Sequence, residues 1–220
     1  MNFTDVMRQL EGLGNEQTRK TWCRHGAAEP MFGVKFGELA KLQKSIKMDH
    51  LLAAQLWRTG NHDARLLACI VADAAAITEK ELKAWASDVK DSSTAEALAA
   101  LASRTSMAAK IREVWLADPK LCRAGWSMAG HCAKEGLIDE ATSLDYIKRI
   151  EADIHKAENW TRRTMMYVMI GIGGRSATLR KAAEAAITRI GPVAFDPGNT
   201  ACEFPDAIPY IAKMWARKKA

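Results

Sequence analysis

Three segments place an arginine in the first turn of an apolar helical stretch: Asn61-His-Asp-Ala-Arg65, Lys120-Leu-Cys-Arg123 and Asn159-Trp-Thr-Arg162-Arg163. A cation at a helix start opposes the helix dipole, so each of these arginines needs an anion beside it. That anion is either an acidic side chain of a neighbouring repeat or a phosphate. Lys35 also stands near a helix start, between Val34 and Phe36. Basic groups and free amides at helix starts suit phosphate; the alternative is a solvated lysine. Trp126 lies three residues after Arg123 and shares its helix face, either packing between repeats or facing a ligand. Trp160 precedes the arginine pair at a helix start, where the same two roles compete. Gly171-Ile-Gly173-Gly174-Arg175 is rich in glycine, but no strand precedes it, so it fails as a nucleotide-binding loop. It reads as a helix end with a glycine cap, with Arg175, Arg180 and Lys181 adding charge beside the turn.

The charge is unevenly spread. Residues 156–220 hold eleven Lys or Arg against five Asp or Glu, a balance equal to the +6 of the whole chain. Half of it remains when the terminal Arg217, Lys218 and Lys219 are left out, so more than a basic tail is involved. Clustered positive charge points to a polyanion. Metal and redox chemistry have little support. The five histidines show no metal-ligand spacing, so neither a metal nor another cofactor is expected. The cysteines (Cys23, Cys69, Cys122, Cys132 and Cys202) are odd in number and form no Cys-x-x-Cys pair. They read as reduced thiols, with Cys69 and Cys132 buried, which places the protein in the cytoplasm. No apolar run approaches the roughly 20 residues of a membrane span. Met1–Glu11, with Asp5, Arg8 and Glu11, does not read as a secretory signal.

The elements that must position these residues are helices. Periodicity predicts Asn2–Leu13, Glu16–His25, Phe36–Lys47, Leu51–Thr59 capped by Asp49, and His62–Ala74. A capping box at Thr78 and Glu81 opens a helix to about Val89. Ser93 or Thr94 begins Ala95–Ser103. Met107–Leu116, Leu121–Lys134, Asp139–Ala157, Trp160–Gly171, Ala177–Ile190 and Pro205–Arg217 follow, with 192–205 the one long irregular stretch. Trp22, Trp57, Trp85 and Trp115 recur on apolar faces and read as core, as do Met165, Met166 and Met169. Helices of this length with short breaks form stacked antiparallel pairs. Arg123 and Arg163 are 40 residues apart, close to a HEAT-type period. The fold class is therefore all-α, an α-solenoid of HEAT-like helix pairs in one domain over 1–220.

Several blocks together resemble a known family: Phe32-Gly-Val-Lys-Phe-Gly-Glu-Leu39, Leu56-Trp-Arg-Thr-Gly60-Asn-His-Asp-Ala-Arg65, Arg123-Ala-Gly, Asn159-Trp-Thr-Arg-Arg163 and Gly198-Asn-Thr-Ala-Cys-Glu-Phe-Pro-Asp-Ala207. They resemble the HEAT-like-repeat DNA alkylation repair proteins, the AlkD-like alkylpurine DNA glycosylases, over nearly the whole chain. The resemblance implies a concave basic face that cradles duplex DNA, and hydrolysis of the N-glycosidic bond of N3- or N7-alkylated purines. A carboxylate beside the sugar stabilises the oxocarbenium-like transition state. The family's Trp-x-x-x-Asp motif is not intact here. The tryptophan's place falls on Asp91 or Ser92, and the aspartate's on Ala95 or Glu96. Glu96 is the candidate carboxylate, against a solvated helix residue; Arg123 matches the family arginine, and Tyr167 falls near its second aromatic. The expected DNA contacts are Lys35, Arg65, Arg123, Trp126, Trp160, Arg162, Arg163, Tyr167 and Arg175. The expected partner is double-stranded DNA, alkylated or distorted, bound by a monomer. Three functions compete: an alkylpurine glycosylase, an inactive relative that recognises DNA shape such as branched DNA, and a helical-repeat scaffold for an acidic protein.

Overall fold

The computed structural model describes residues 1–89 and 91–218. It contains thirteen helices and no strand among those residues. Their contacts divide the chain into two compact units, Met1–Ile111 and Arg112–Ala220, with the division falling inside one helix.

The first unit carries α1 (Phe3–Gly12), α2 (Glu16–Arg24), α3 (Phe36–Ile46), α4 (His50–Arg58), α5 (His62–Val71), α6 (Glu79–Asp88) and α7 (Ser92–Ala102). α8 (Ala108–Ala117) spans the division. Side-chain caps start most of these helices, as their sequences demand: Asn2, Asn15, Asp49 and Asn61 each accept from the backbone amide three residues on. The Thr78–Glu81 capping box is present in full. α5 packs against α3 and α7 as well as against α4. Contact between every second helix is the mark of stacked helix pairs, in which one helix of each pair forms an inner layer.

The second unit carries α9 (Cys122–Lys134), α10 (Glu140–Asp153), α11 (Asn159–Gly173), α12 (Ala177–Ile190) and α13 (Ala207–Lys218). The same alternation holds: α11 packs on α9 and α13, while α10 packs on α12. Gly125 lets α9 come close to the end of α8, since a Cβ there would sit 2.7 Å from the Leu116 amide nitrogen.

The core is aliphatic and alanine-rich. Trp22, Trp57, Trp85 and Trp115 are buried, as are Met165, Met166 and Met169. Cys69 and Cys132 are buried free thiols, and burial pushes the Cys69 thiol pKa up. The sequence-predicted boundaries shift by two residues or more at five places, in α5, α7, α10, α11 and α13. α10 ends at Asp153 rather than Ala157, α11 runs on to Gly173, and α13 begins at Ala207. α5 ends at Val71, and Ala72 turns extended. α7 is capped by Asp91, so it begins before the expected Ser93 or Thr94. Among the described residues no helix is long and apolar enough to cross a membrane.

Candidate nucleic-acid interface

In the first unit the Asn-His-Asp-Ala-Arg block is largely occupied in building the scaffold. Asn61 caps α5 through the Ala64 amide at 3.1 Å. The fully buried Asp63 carboxylate accepts three backbone amides, from Phe32 at 2.6 Å, Gly33 at 2.9 Å and Val34 at 2.8 Å. Gly33 has φ +83°, and a Cβ there would lie 2.5 Å from both the Arg19 side chain and the Asn15 carbonyl, so this turn requires glycine. The turn delivers Lys35 as the N-cap residue of α3. Lys35 is exposed, and Phe36 beside it is 52% exposed, its ring edge-on to Trp22 at 5.0 Å.

Arg65 is paired at the surface of the unit. Its guanidinium meets the Asp88 carboxylate at 3.2 Å and the Asp88 carbonyl at 3.3 Å, and lies 5.0 Å from the Trp57 ring centre. Trp57 donates to the same carboxylate at 3.0 Å and stacks on Trp85 at 4.4 Å. This is the salt-bridge alternative for a first-turn arginine.

At the start of α7 the carboxylates separate. Asp91 accepts from Ser93 Oγ at 2.6 Å, the Thr94 amide at 3.0 Å and Thr94 Oγ1 at 2.8 Å. His62 Nε2 lies 3.3 Å from the same carboxylate and 3.1 Å from Ser93 Oγ. Burial alone would raise the Asp91 pKa; the bonds from His62, Ser93 and Thr94 overcome it and hold the carboxyl well below its usual range. Ala95 is buried and Glu96 is exposed. Of the two registers for the missing family aspartate, one falls on an apolar core position and the other on the surface.

In the second unit the first turn of α9 and the first half of α11 carry five of the expected residues, Arg123, Trp160, Arg162, Arg163 and Tyr167. The Arg123 guanidinium lies 5.4 Å from the Trp160 ring centre. Arg163 lies 4.9 Å from the Tyr167 ring centre and donates to its hydroxyl at 3.2 Å; Tyr167 is 40% exposed. Arg162 and Arg163 bind carbonyls rather than carboxylates. Arg162 donates to the carbonyls of Ala157 at 2.8 Å and Ala194 at 3.0 Å. Arg163 donates to the Glu203 carbonyl at 3.0 Å. A carbonyl satisfies the donors while leaving the positive charge uncancelled. Trp126 is elsewhere: it is buried, edge-on to Tyr146 at 5.7 Å, with Arg149 over it. Arg175 reaches Ser143 Oγ at 3.0 Å, at the other end of α11.

Sequence reasoning missed what the arginines hold. Asn159 exchanges two hydrogen bonds with Asp196, and Phe195 stands edge-on to Trp160 at 5.1 Å, with Phe204 5.8 Å beyond. The segment between α12 and α13 therefore builds an aromatic floor beside the arginines. It has no periodicity to betray this, and only the paired Phe195 and Phe204 hint at it.

The fold is that of stacked helix pairs, and its second unit carries a basic, aromatic surface. A family model described as DNA alkylation repair enzyme matches residues 6–183, and the chain belongs to that family. It is similar to an uncharacterized protein of Listeria monocytogenes, 28% identical over the full length of both chains. A second uncharacterized protein, of Listeria innocua, is 26% identical over 97% of each. A solved structure superposes with TM-score 0.89 and 28% identity, covering 99% of this chain and 95% of that one. That structure is described as a new family of proteins related to the HEAT-like repeat DNA glycosylases with affinity for branched DNA structures.

Proposed function

We propose that this protein binds double-stranded DNA by its shape, with preference for branched structures, and excises no base. The observation that carries the reading is the cluster of Arg123, Trp160, Arg163 and Tyr167 on the first turn of α9 and the first half of α11. The Arg162 and Arg163 guanidinium groups are held in place by carbonyls and the Tyr167 ring, so their charge is available to phosphates. Lys35, at an exposed helix start, supplies a separate phosphate contact.

The neighbourhood of α7 argues against excision. A carboxylate stabilises an oxocarbenium-like sugar strongly only where water is excluded. Glu96 is exposed, and the Asp91 carboxylate is already committed to His62, Ser93 and the α7 amide. The affinity for branched DNA attributed to the superposable relative supports the choice of substrate.

Fluorescence anisotropy with a linear duplex, a three-way and a four-way junction of equal strand length tests the reading. Release of N7-methylguanine from methylated DNA is measured alongside. Junctions bind more tightly than the duplex, affinity falls steeply with salt, and no base is released. Release of alkylpurine by the wild-type protein overturns the reading in favour of a glycosylase. Absence of any DNA binding at low salt leaves the acidic-protein scaffold.

A further inference from the structure

α12 and α13 border an open groove of about 610 Å³ that runs from Ala177 to Thr188 along α12, and its cations gather at the end of α11 opposite the Trp160–Arg163 surface. Arg180, Lys181, Glu184, Thr188, Ile208 and Trp215 line it. The glycine-rich end of α11 helps form it. A Cβ on Gly173 would come within 2.7 Å of Ile211 Cδ1 and 3.3 Å of Ala183 Cβ, so glycine there eases the close docking of α13. The Met214 methyl that a Cβ on Gly174 would meet at 2.5 Å is the movable end of a flexible side chain. Trp215 then donates its indole N–H to the Gly173 carbonyl at 2.9 Å, and the Lys218 ammonium donates to the Gly174 carbonyl.

Two cations lie against the Trp215 ring: Lys218 Nζ at 5.4 Å and the Arg180 guanidinium at 5.5 Å from its centre. Arg180 also pairs with Glu184 at 2.7 Å. Lys181 is exposed and forms no ion pair among the described residues. Arg180 and Lys181 thus line the groove against one carboxylate, Glu184, and Lys218 adds a third cation on the Trp215 ring beside it. With cations already on the indole, it is built to meet backbone charge rather than to stack a base.

Arg163 and Gly174 are eleven residues apart on one helix and its cap, roughly 16 Å along the axis at the helical rise. We infer that this groove is a second phosphate-backbone site, which holds the arm of a branched DNA that the Trp160–Arg163 surface does not. The inference rests on the DNA-binding reading above and names a second contact for the same partner. A branch offers two phosphate backbones that diverge from one point, and this unit presents two basic surfaces at opposite ends of one helix. An acidic peptide fits less well, because tight peptide binding relies on a desolvated apolar anchor, and the groove's one aromatic already carries cations.

The test uses the full chain and two variants, Lys181→Ala/Lys218→Ala and the single Lys181→Glu. Lys181 is solvent-exposed, so the single variant folds even if loss of Lys218 frays the last turn of α13. Each is titrated with a linear duplex and a four-way junction over a range of salt. Junction affinity falls on the order of 10-fold in the double variant, and its log–log salt slope drops by about 2, while the duplex isotherm stays unchanged. Arg163→Ala, by contrast, weakens both. Equal loss on duplex and junction overturns the inference, because the groove then belongs to one continuous duplex site. No loss on either overturns it too, while wild-type binding leaves the DNA reading standing. Binding of polyglutamate through Lys181, with junction affinity indifferent to that residue, assigns the groove to an acidic chain instead. If the wild-type protein binds neither DNA, the underlying reading has failed and the second arm with it.

Discussion

The starts of α5 and α11 carry similar sequences, Asn61-His-Asp-Ala-Arg65 and Asn159-Trp-Thr-Arg162-Arg163, and the fold uses them in opposite ways. At α5 the polar side chains find their partners within the protein. Asn61 caps, Asp63 gathers three amides of the preceding turn, His62 meets Asp91 and Ser93, and Arg65 is neutralised by Asp88. At α11 the arginines are satisfied by neutral carbonyls of 157, 194 and 203. Both starts answer the same problem, a cation at the wrong end of a helix dipole. One cancels the charge and the other merely seats it. Only the second leaves a field that a phosphate can feel, so a shared motif does not mean a shared role.

The comparison breaks first at Asp63. If the α5 start is scaffold, Asp63→Ala strands three amides, two of them on buried residues, and destabilises the protein by about 3–5 kcal/mol in urea unfolding. A loss below 1 kcal/mol means that the Phe32–Val34 turn is held by something else. Asp91 comes next. Asp91→Ala removes the α7 cap and costs about 2 kcal/mol. Its folded-state pKa is lowered, so the stability it contributes is complete above its ordinary value near 4 and drains as pH falls through the folded value. Asp91→Asn keeps a good cap without the charge, so its acid unfolding is shallower than the wild type's. Equal acid slopes count against a charged role for Asp91.

The arginines sharpen the contrast directly. Arg162→Ala/Arg163→Ala lowers duplex affinity about 10-fold at moderate salt and reduces the salt slope by roughly 2. Arg163→Lys keeps most of the slope, since the charge remains, but loses the fork that reaches the Glu203 carbonyl and Tyr167. Arg65→Ala leaves the isotherm in place and costs about 1–2 kcal/mol of stability, because Asp88 and Trp57 lose their shared partner. Loss of DNA affinity in Arg65→Ala comparable to the α11 double variant erases the distinction between the two helix starts.

Helix positions were legible in the sequence because caps and apolar periodicity are local. Thr78 with Glu81 and Asp49 before Leu51 announce their helices without help from the fold. The start of α7 was misplaced because Asp91, Ser93 and Thr94 all have capping side chains, and only His62, from another helix, favours Asp91. The arginine partners were not legible at all. Asp88 lies 23 residues beyond Arg65, and the Glu203 carbonyl lies 40 residues beyond Arg163. Whether a first-turn cation meets a carboxylate or a carbonyl is decided by chain packing, which leaves no mark on the residues themselves. The burial of Trp126 was likewise undecidable from its spacing to Arg123, because a shared helix face can point inward as readily as outward.

The smallest expected effect is at Glu96. Glu96→Gln keeps shape and removes one exposed negative charge, so the unfolding free energy shifts by no more than about 1 kcal/mol, the size of a surface charge interaction. Near a phosphate that charge repels, so DNA affinity stays equal or rises by no more than about 2-fold. In a protein that only binds, the variant and the wild type both release no N7-methylguanine, and the two are indistinguishable in that assay. In a glycosylase the same change removes the charge that stabilises the sugar cation and cuts release on the order of 100-fold or more. The pair of measurements therefore separates the roles more cleanly than either alone. Unchanged affinity with lost excision makes Glu96 the working carboxylate and overturns the binding-only reading. Release at the wild-type rate from both proteins also overturns that reading and moves the charge elsewhere, with Asp91 the next side chain to change, since it is the other carboxylate at the start of α7. Improved affinity with no release from either protein is the expected result, and it makes Glu96 a surface charge that modestly opposes the DNA.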